Sequence, residues 1–150
     1  MKVLMVCLGN ICRSPMAQGI LEQKIEKYHL QSWEVDSAGT SGWHDGEAPD
    51  NRAIATSMKH GIDISKQISR RITKDDFEYF DLILAMDASN YQDVKSMCLD
   101  SQYHHKIKML MNFRYPDRNM AVPDPYYDGK FSQVFDLLDD GLDYLIKPYQ

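Results

Sequence analysis

The chain has few cysteines, three in 150 residues, and the odd number leaves no disulfide framework to read. Long apolar runs are missing too. The N-terminal run from Val3 to Leu8 is too short for a signal-peptide core or a membrane span, so no membrane insertion is expected. Excess positive charge is absent, with 17 Lys and Arg against 22 Asp and Glu for a net charge of −5. General affinity for nucleic acid or an anionic membrane is not expected, and an anionic ligand would have to be drawn in by local potential. The chain has no Gly-Lys-Ser/Thr nucleotide loop, no dinucleotide glycine fingerprint, and no repeat or low-complexity tract. The expected setting is the cytoplasm, where a reducing milieu keeps thiols usable.

What is present reads as one soluble globular domain over residues 1–150, with 43% hydrophobic and 26% charged residues. Val3 to Cys7 is a continuous apolar run, as in a strand covered on both faces. Met16, Ile20, Leu21, Ile25 and Tyr28 then recur at helical spacing. A second strand is expected over Trp33–Ser37, followed by a long loop from Gly39 to Asp50. Ala53, Ile54 and Met58 mark a helix closed by Gly61. Leu82–Met86 is the clearest interior strand, with Asp87 at its end and a helix running to about Met97. Ile107–Met111 reads as a fourth strand. Phe131, Val134, Phe135, Leu138, Leu142, Leu145 and Ile146 form the best helical stripe, with Asp136, Asp139, Asp140 and Asp143 read as its solvated face. Such alternation predicts an α/β domain of three layers, a parallel sheet with helices on both faces. Ligands of such sheets sit beyond the carboxyl ends of the strands, where Cys7, Ser37 and Asp87 fall.

At the end of the first strand stands Cys7-Leu-Gly-Asn-Ile-Cys-Arg-Ser-Pro15. A thiol, five residues and an arginine make a phosphate site with a nucleophile inside it. A thiolate needs positive potential, which a helix N-terminus and a guanidinium supply. Backbone N–H groups of a tight loop can converge on oxyanions, with Gly9 providing the conformational freedom. Arg13 offers a planar fork for two phosphate oxygens. Ser14 and Pro15 read as N-cap and first residue of the following helix. The bland alternative is a buried cysteine at a strand end followed by an ordinary helix cap.

This loop resembles, residue for residue, the signature of the low-molecular-weight protein tyrosine phosphatases. Pro123-Asp-Pro-Tyr-Tyr127 is similar to a C-terminal segment of that family, and Asp36-Ser-Ala-Gly-Thr40, His60-Gly-Ile62 and Met86-Asp-Ala-Ser-Asn90 follow its order. The resemblance spans almost the whole chain. It implies a four-stranded sheet with the phosphate loop, Cys7 to Arg13, directly after the first strand. It also implies hydrolysis of phosphotyrosine through a phosphocysteine on Cys7, with Arg13 binding phosphate and Asp124 as general acid and base. From the residues alone, Asp124 reads equally well as a turn-forming aspartate between prolines. Leu8, Gly9, Asn10, Ile11, Cys12 and Ser14 complete the loop, Asn10 and Ser14 holding its shape and Ser37 supporting them. Many relatives carry a histidine where this chain has Gln67.

Cys12 is either a redox partner that traps oxidised Cys7 or a small packed residue. Cys98 reads as an inert or surface thiol, His60 as structural, and His44 as a solvated or packing residue. Trp43, Tyr126 and Tyr127 are expected as aromatic walls of a crevice suited to an aryl phosphate; the alternative is local packing. Relatives that act on phosphoarginine carry Thr where this chain has Ile11, which favours phosphotyrosine. The implied partner is a phosphotyrosine protein, a tyrosine kinase being one candidate, with inorganic phosphate as product. No cofactor and no metal are called for. An arsenate reductase would need cysteines near the end of the Leu82–Met86 strand, and Met86 stands there. A binding module that does not cleave its ligand would lack Cys7 or Asp124. A zinc site from Cys7, Cys12, His104 and His105 has unusual spacing.

Overall fold

The computed structural model describes residues 1–150 in full. Four strands, β1 (Lys2–Cys7), β2 (Glu34–Gly39), β3 (Leu82–Ala85) and β4 (Ile107–Met109), form one sheet in the order β2-β1-β3-β4. All pairings are parallel, with Val3 opposite Val35 on one side and Leu82 on the other, and Ile83 opposite Ile107. Five α-helices cover it: α1 (Arg13–Lys27), α2 (Asn51–Met58), α3 (Lys74–Tyr79), α4 (Ala88–Met97) and α5 (Phe131–Ile146).

Side chains of a strand alternate between faces, and β1 shows why its apolar run is unbroken. Val3, Met5 and Cys7 pack in the larger core with Met16, Ile20 and Leu21 of α1 and Leu138 and Leu142 of α5. Leu4 and Val6 point the other way, into a smaller core with Phe77, Ile83, Val94 and Ile107. The expected three layers are therefore present, and β1 lies at the centre of both cores. All seven apolar residues of the α5 stripe are buried.

Several details depart from expectation. β2 begins and ends later than Trp33–Ser37, and β4 stops at Met109 because Leu110–Asn112 tighten into a 3₁₀ turn. Helix α3 carries too few apolar residues to show a period; it is set instead by a capping box, Thr73 with Asp76. The aspartates of α5 are not simply solvated. Asp139 and Asp143 both accept from Lys24 Nζ at 2.6 Å, tying α5 to α1, and Asp140 accepts from Arg114 at 2.9 Å. No helix is long and apolar enough to cross a membrane.

Candidate active site

The turn from β1 into α1 is held from outside by its carbonyls. Cys7 O accepts from Thr40 N–H at 2.9 Å, Leu8 O from Ser41 N–H at 3.0 Å, and Ile11 O from Asp50 N–H at 2.8 Å. Gly9 O accepts from the Ser69 hydroxyl at 3.1 Å. By contrast, no backbone N–H from Leu8 to Arg13 donates to another backbone group. Carbonyls outward and amides inward make a concave cradle of partial positive charge at a helix N-terminus.

Two local expectations change. The left-handed residue of the loop is Asn10, at φ 55°, and not Gly9. Gly9 is small for a different reason: a Cβ there would lie 3.2 Å from His44 Cδ2. Nor is Ser14 the N-cap, since α1 begins at Arg13 with Cys12 flanking it and no side-chain cap. A capped terminus would have consumed amides that here stay open.

Ser14 is turned inward instead. Its Oγ lies 3.0 Å from Cys7 Sγ and accepts from Asn10 Nδ2 at 2.8 Å. The other Asn10 amide proton goes to Ser37 Oγ at 3.0 Å, and Ser37 donates on to Gln18 Oε1 at 2.7 Å. Ser14 still has its hydroxyl proton, and toward a Cys7 thiolate, which can only accept, it would be the donor. Ser37 thus links the loop to α1 through Asn10 and Gln18. Gln67 does not join this network; its side chain donates to Pro15 O at 3.1 Å.

Arg13 is buried, 3% exposed, with Nη1 donating to Asp87 Oδ2 at 2.7 Å and to Val122 O at 3.0 Å. Burial opposes its charge, but Cys7, Asp87 and Asp124 outweigh that and hold its pKa above the ordinary value. Asp87 serves two elements at once, since its Oδ1 caps α4 through Asn90 N–H at 2.7 Å. Across the site, Asp124 also divides its oxygens. Oδ1 accepts from Tyr126 N–H at 3.0 Å as a turn former would, while Oδ2 faces Arg13 Nη2 at 3.8 Å. One oxygen of Asp124 thus serves the turn, and the other faces the guanidinium.

Above the loop opens a cleft of about 180 Å³ with Cys7, Cys12 and Arg13 at its base. Trp43, Tyr126 and Tyr127 line it, with Trp43 77% and Tyr127 90% exposed, and the two tyrosines meet edge to face at 5.0 Å. Arg52 lies over the Tyr126 ring at 5.4 Å and over Phe131 at 4.7 Å. Ile11 also lines the cleft. So does His44, whose Nδ1 bonds Glu47 Oε2, a role that a lone histidine in a long loop did not announce.

The other thiols stand apart in character. Burial, then the charges of Asp50, Cys7 and Asp124, push the Cys12 thiol far above the ordinary range. Cys98 is buried, correcting the surface alternative, and its Sγ donates to Asp100 O at 3.4 Å at the far end of α4. His104 sits beside it, 2.8 Å from Cys98 O, so the four candidate zinc ligands do not converge. His60 stacks on Phe135 at 4.0 Å.

Residues 2–150 match the family model of the low molecular weight phosphotyrosine protein phosphatases. A phosphatase of that name from Drosophila melanogaster is 42% identical over 127 residues, 85% of this chain and 81% of the relative. A solved protein tyrosine phosphatase from Entamoeba histolytica superposes with a TM-score of 0.92 at 39% identity, covering 99% of this chain and 96% of that one. A solved Drosophila arginine phosphatase superposes equally well, with a TM-score of 0.92 at 34% identity over 100% of this chain and 98% of that one.

Proposed function

Because the chain belongs to the low-molecular-weight phosphotyrosine protein phosphatase family, a family of hydrolases, we propose that it cleaves phosphotyrosine monoesters through a phosphocysteine on Cys7. Residues 1–150 act as one catalytic domain in this reading, and its substrates are phosphoproteins. One observation carries it: a loop whose backbone N–H groups have no backbone partner, with a buried guanidinium at its end and the Cys7 thiol 3.0 Å from the Ser14 hydroxyl.

The phosphate dianion lies in the loop, its equatorial oxygens bound by the amides from Leu8 to Arg13 and by the free Nε and Nη2 of Arg13. Cys7 Sγ attacks phosphorus as the S–P bond forms and the P–O bond to the tyrosine breaks. Asp124 gives its proton to the leaving phenolate. It then takes a proton from water, whose oxygen attacks the phosphocysteine; the S–P bond breaks and inorganic phosphate leaves. Ser14 stabilises the departing thiolate through the same hydrogen bond that holds it before attack. Asp87 keeps Arg13 charged and oriented.

Substrate choice rests on the walls. The fold does not make it, since the arginine phosphatase of Drosophila shares the fold fully. Trp43, Tyr126 and Tyr127 offer flat faces to an aryl ring, and Ile11 puts an apolar branched side chain beside the loop. The test is turnover of phosphotyrosine, phosphoserine and phosphoarginine peptides, with chelator present, by the wild type and Cys7→Ser. Phosphotyrosine cleavage that the mutation abolishes supports the reading. A preference for phosphoarginine would keep the mechanism and overturn the substrate, and full activity in Cys7→Ser would overturn the mechanism.

A further inference from the structure

We propose that Arg70 is a positioning residue for the phosphate loop, acting through Asn10. The inference rests on Cys7 being the nucleophile. Asn10 is 2% exposed and each group of its side-chain amide is engaged: two amide protons on Ser14 and Ser37, and Oδ1 on the backbone N–H of Arg70 at 3.0 Å. That last bond sets which way the amide faces. Were it reversed, the amide protons would meet the Arg70 N–H, and Ser14 and Ser37 would face an oxygen. Ser14 would then have to donate to Asn10, and the sulfur would lose its hydroxyl proton. The direction of the Ser14 hydroxyl toward Cys7 is therefore tied, through Asn10, to a backbone N–H sixty positions along the chain.

What fixes that N–H is the Arg70 side chain. Its Nε and Nη2 donate to Asp36 Oδ2 at 3.2 and 3.0 Å, and its Nη1 and Nη2 to the two oxygens of Asp76 at 2.9 and 3.1 Å. Asp36 belongs to β2, and Asp76 is the capping-box carboxylate of α3, so the fork spans two elements that flank the site. The Arg70 backbone is also laced to the end of β2, its carbonyl accepting from Gly39 N–H at 2.8 Å, while Ile72 N–H donates to Gly39 O at 2.9 Å. Half-buried ion clusters add little net stability, because desolvation offsets the attraction. This one holds a backbone donor in register with the loop, and its four bonds to two carboxylates exceed the three donors of a lysine.

The experiment is a double-mutant cycle of Arg70→Met and Asn10→Ala. It reads kcat and KM on an aryl phosphate, the rate at which iodoacetate alkylates Cys7, and Tm. In the wild-type background Arg70→Met is expected to lower kcat and slow alkylation by about tenfold or more, whereas in Asn10→Ala it changes each less than about threefold. Asp36→Asn and Asp76→Asn should each give a smaller loss with the same dependence on Asn10, and they stand in if Arg70→Met does not fold. Equal fold-losses in both backgrounds, or a lower Tm with kcat and alkylation unchanged, would overturn the proposal. A wild type that cleaves no phosphotyrosine would defeat the proposed function, and the alkylation rates would still decide the role of Arg70.

Discussion

Asp87 and Asp124 show how single residues carry two duties by dividing their atoms. Asp124 keeps its turn with Oδ1 and faces the guanidinium with Oδ2, half-exposed at the cleft wall. Asp124→Asn retains the turn acceptor and removes the transferable proton. It should slow release of phenol from phosphotyrosine by about a hundredfold or more, yet slow release of an activated phenol by less than about tenfold, as burst kinetics would measure. Equal slowing of both would argue against an acid role. Burial, then the charges of Asp50, Cys7 and Asp124, push the Cys12 thiol up, so it stays neutral at pH 7. Iodoacetamide at that pH should label Cys7 and spare Cys12 and Cys98 in the folded protein. Peptide mass mapping reads this directly, and equal labelling of Cys12 would contradict it.

The elements meet at close quarters in two places where glycine is required, for different purposes. A Cβ at Gly39, the last residue of β2, would lie 2.8 Å from Leu8 O and 3.2 Å from Gly9 C, both backbone atoms of the phosphate loop. A Cβ at Gly19 of α1 would lie 2.6 Å from Ile64 Cγ2, far from the loop. Both Ala substitutions overpack and should cost about 1–3 kcal/mol of stability by denaturant unfolding. Only Gly39→Ala has to displace the loop, so only it should also lower kcat/KM, by about tenfold or more. If Gly19→Ala impaired turnover as much, the loop would be less independent of the helix than its bonds indicate.

For the molecule as a whole, the net charge of −5 means that anion binding is a local property of the loop amides and Arg13. Phosphate should bind the folded protein only. At about a hundred times its Kd it adds about 2.7 kcal/mol, or roughly 5–10 °C in Tm for a chain of this size. Cys7→Ser should show nearly the same shift, since the cradle is untouched; its loss would place the anion elsewhere. The sequence by itself determined the parallel α/β plan, because β1 is apolar from Val3 to Cys7 and must be covered on both faces, and because α5 carries an unbroken helical stripe. It also pointed to a phosphate site, since a thiol and a guanidinium stand at that spacing between strand and helix. Only the tertiary structure decided how the loop is held. Asp87, Arg70, Asp36, Asp76, Gln18 and His44 come from separate strands, turns and helices, and ordinary surface residues carry the same letters. Helix α3 escaped the periodicity because capping, and not a buried face, defines it. The reversal of Ser14 from cap to proton donor escaped for the same reason. A side chain's partner is a matter of distance in space, and local propensity ranks only the neighbours along the chain.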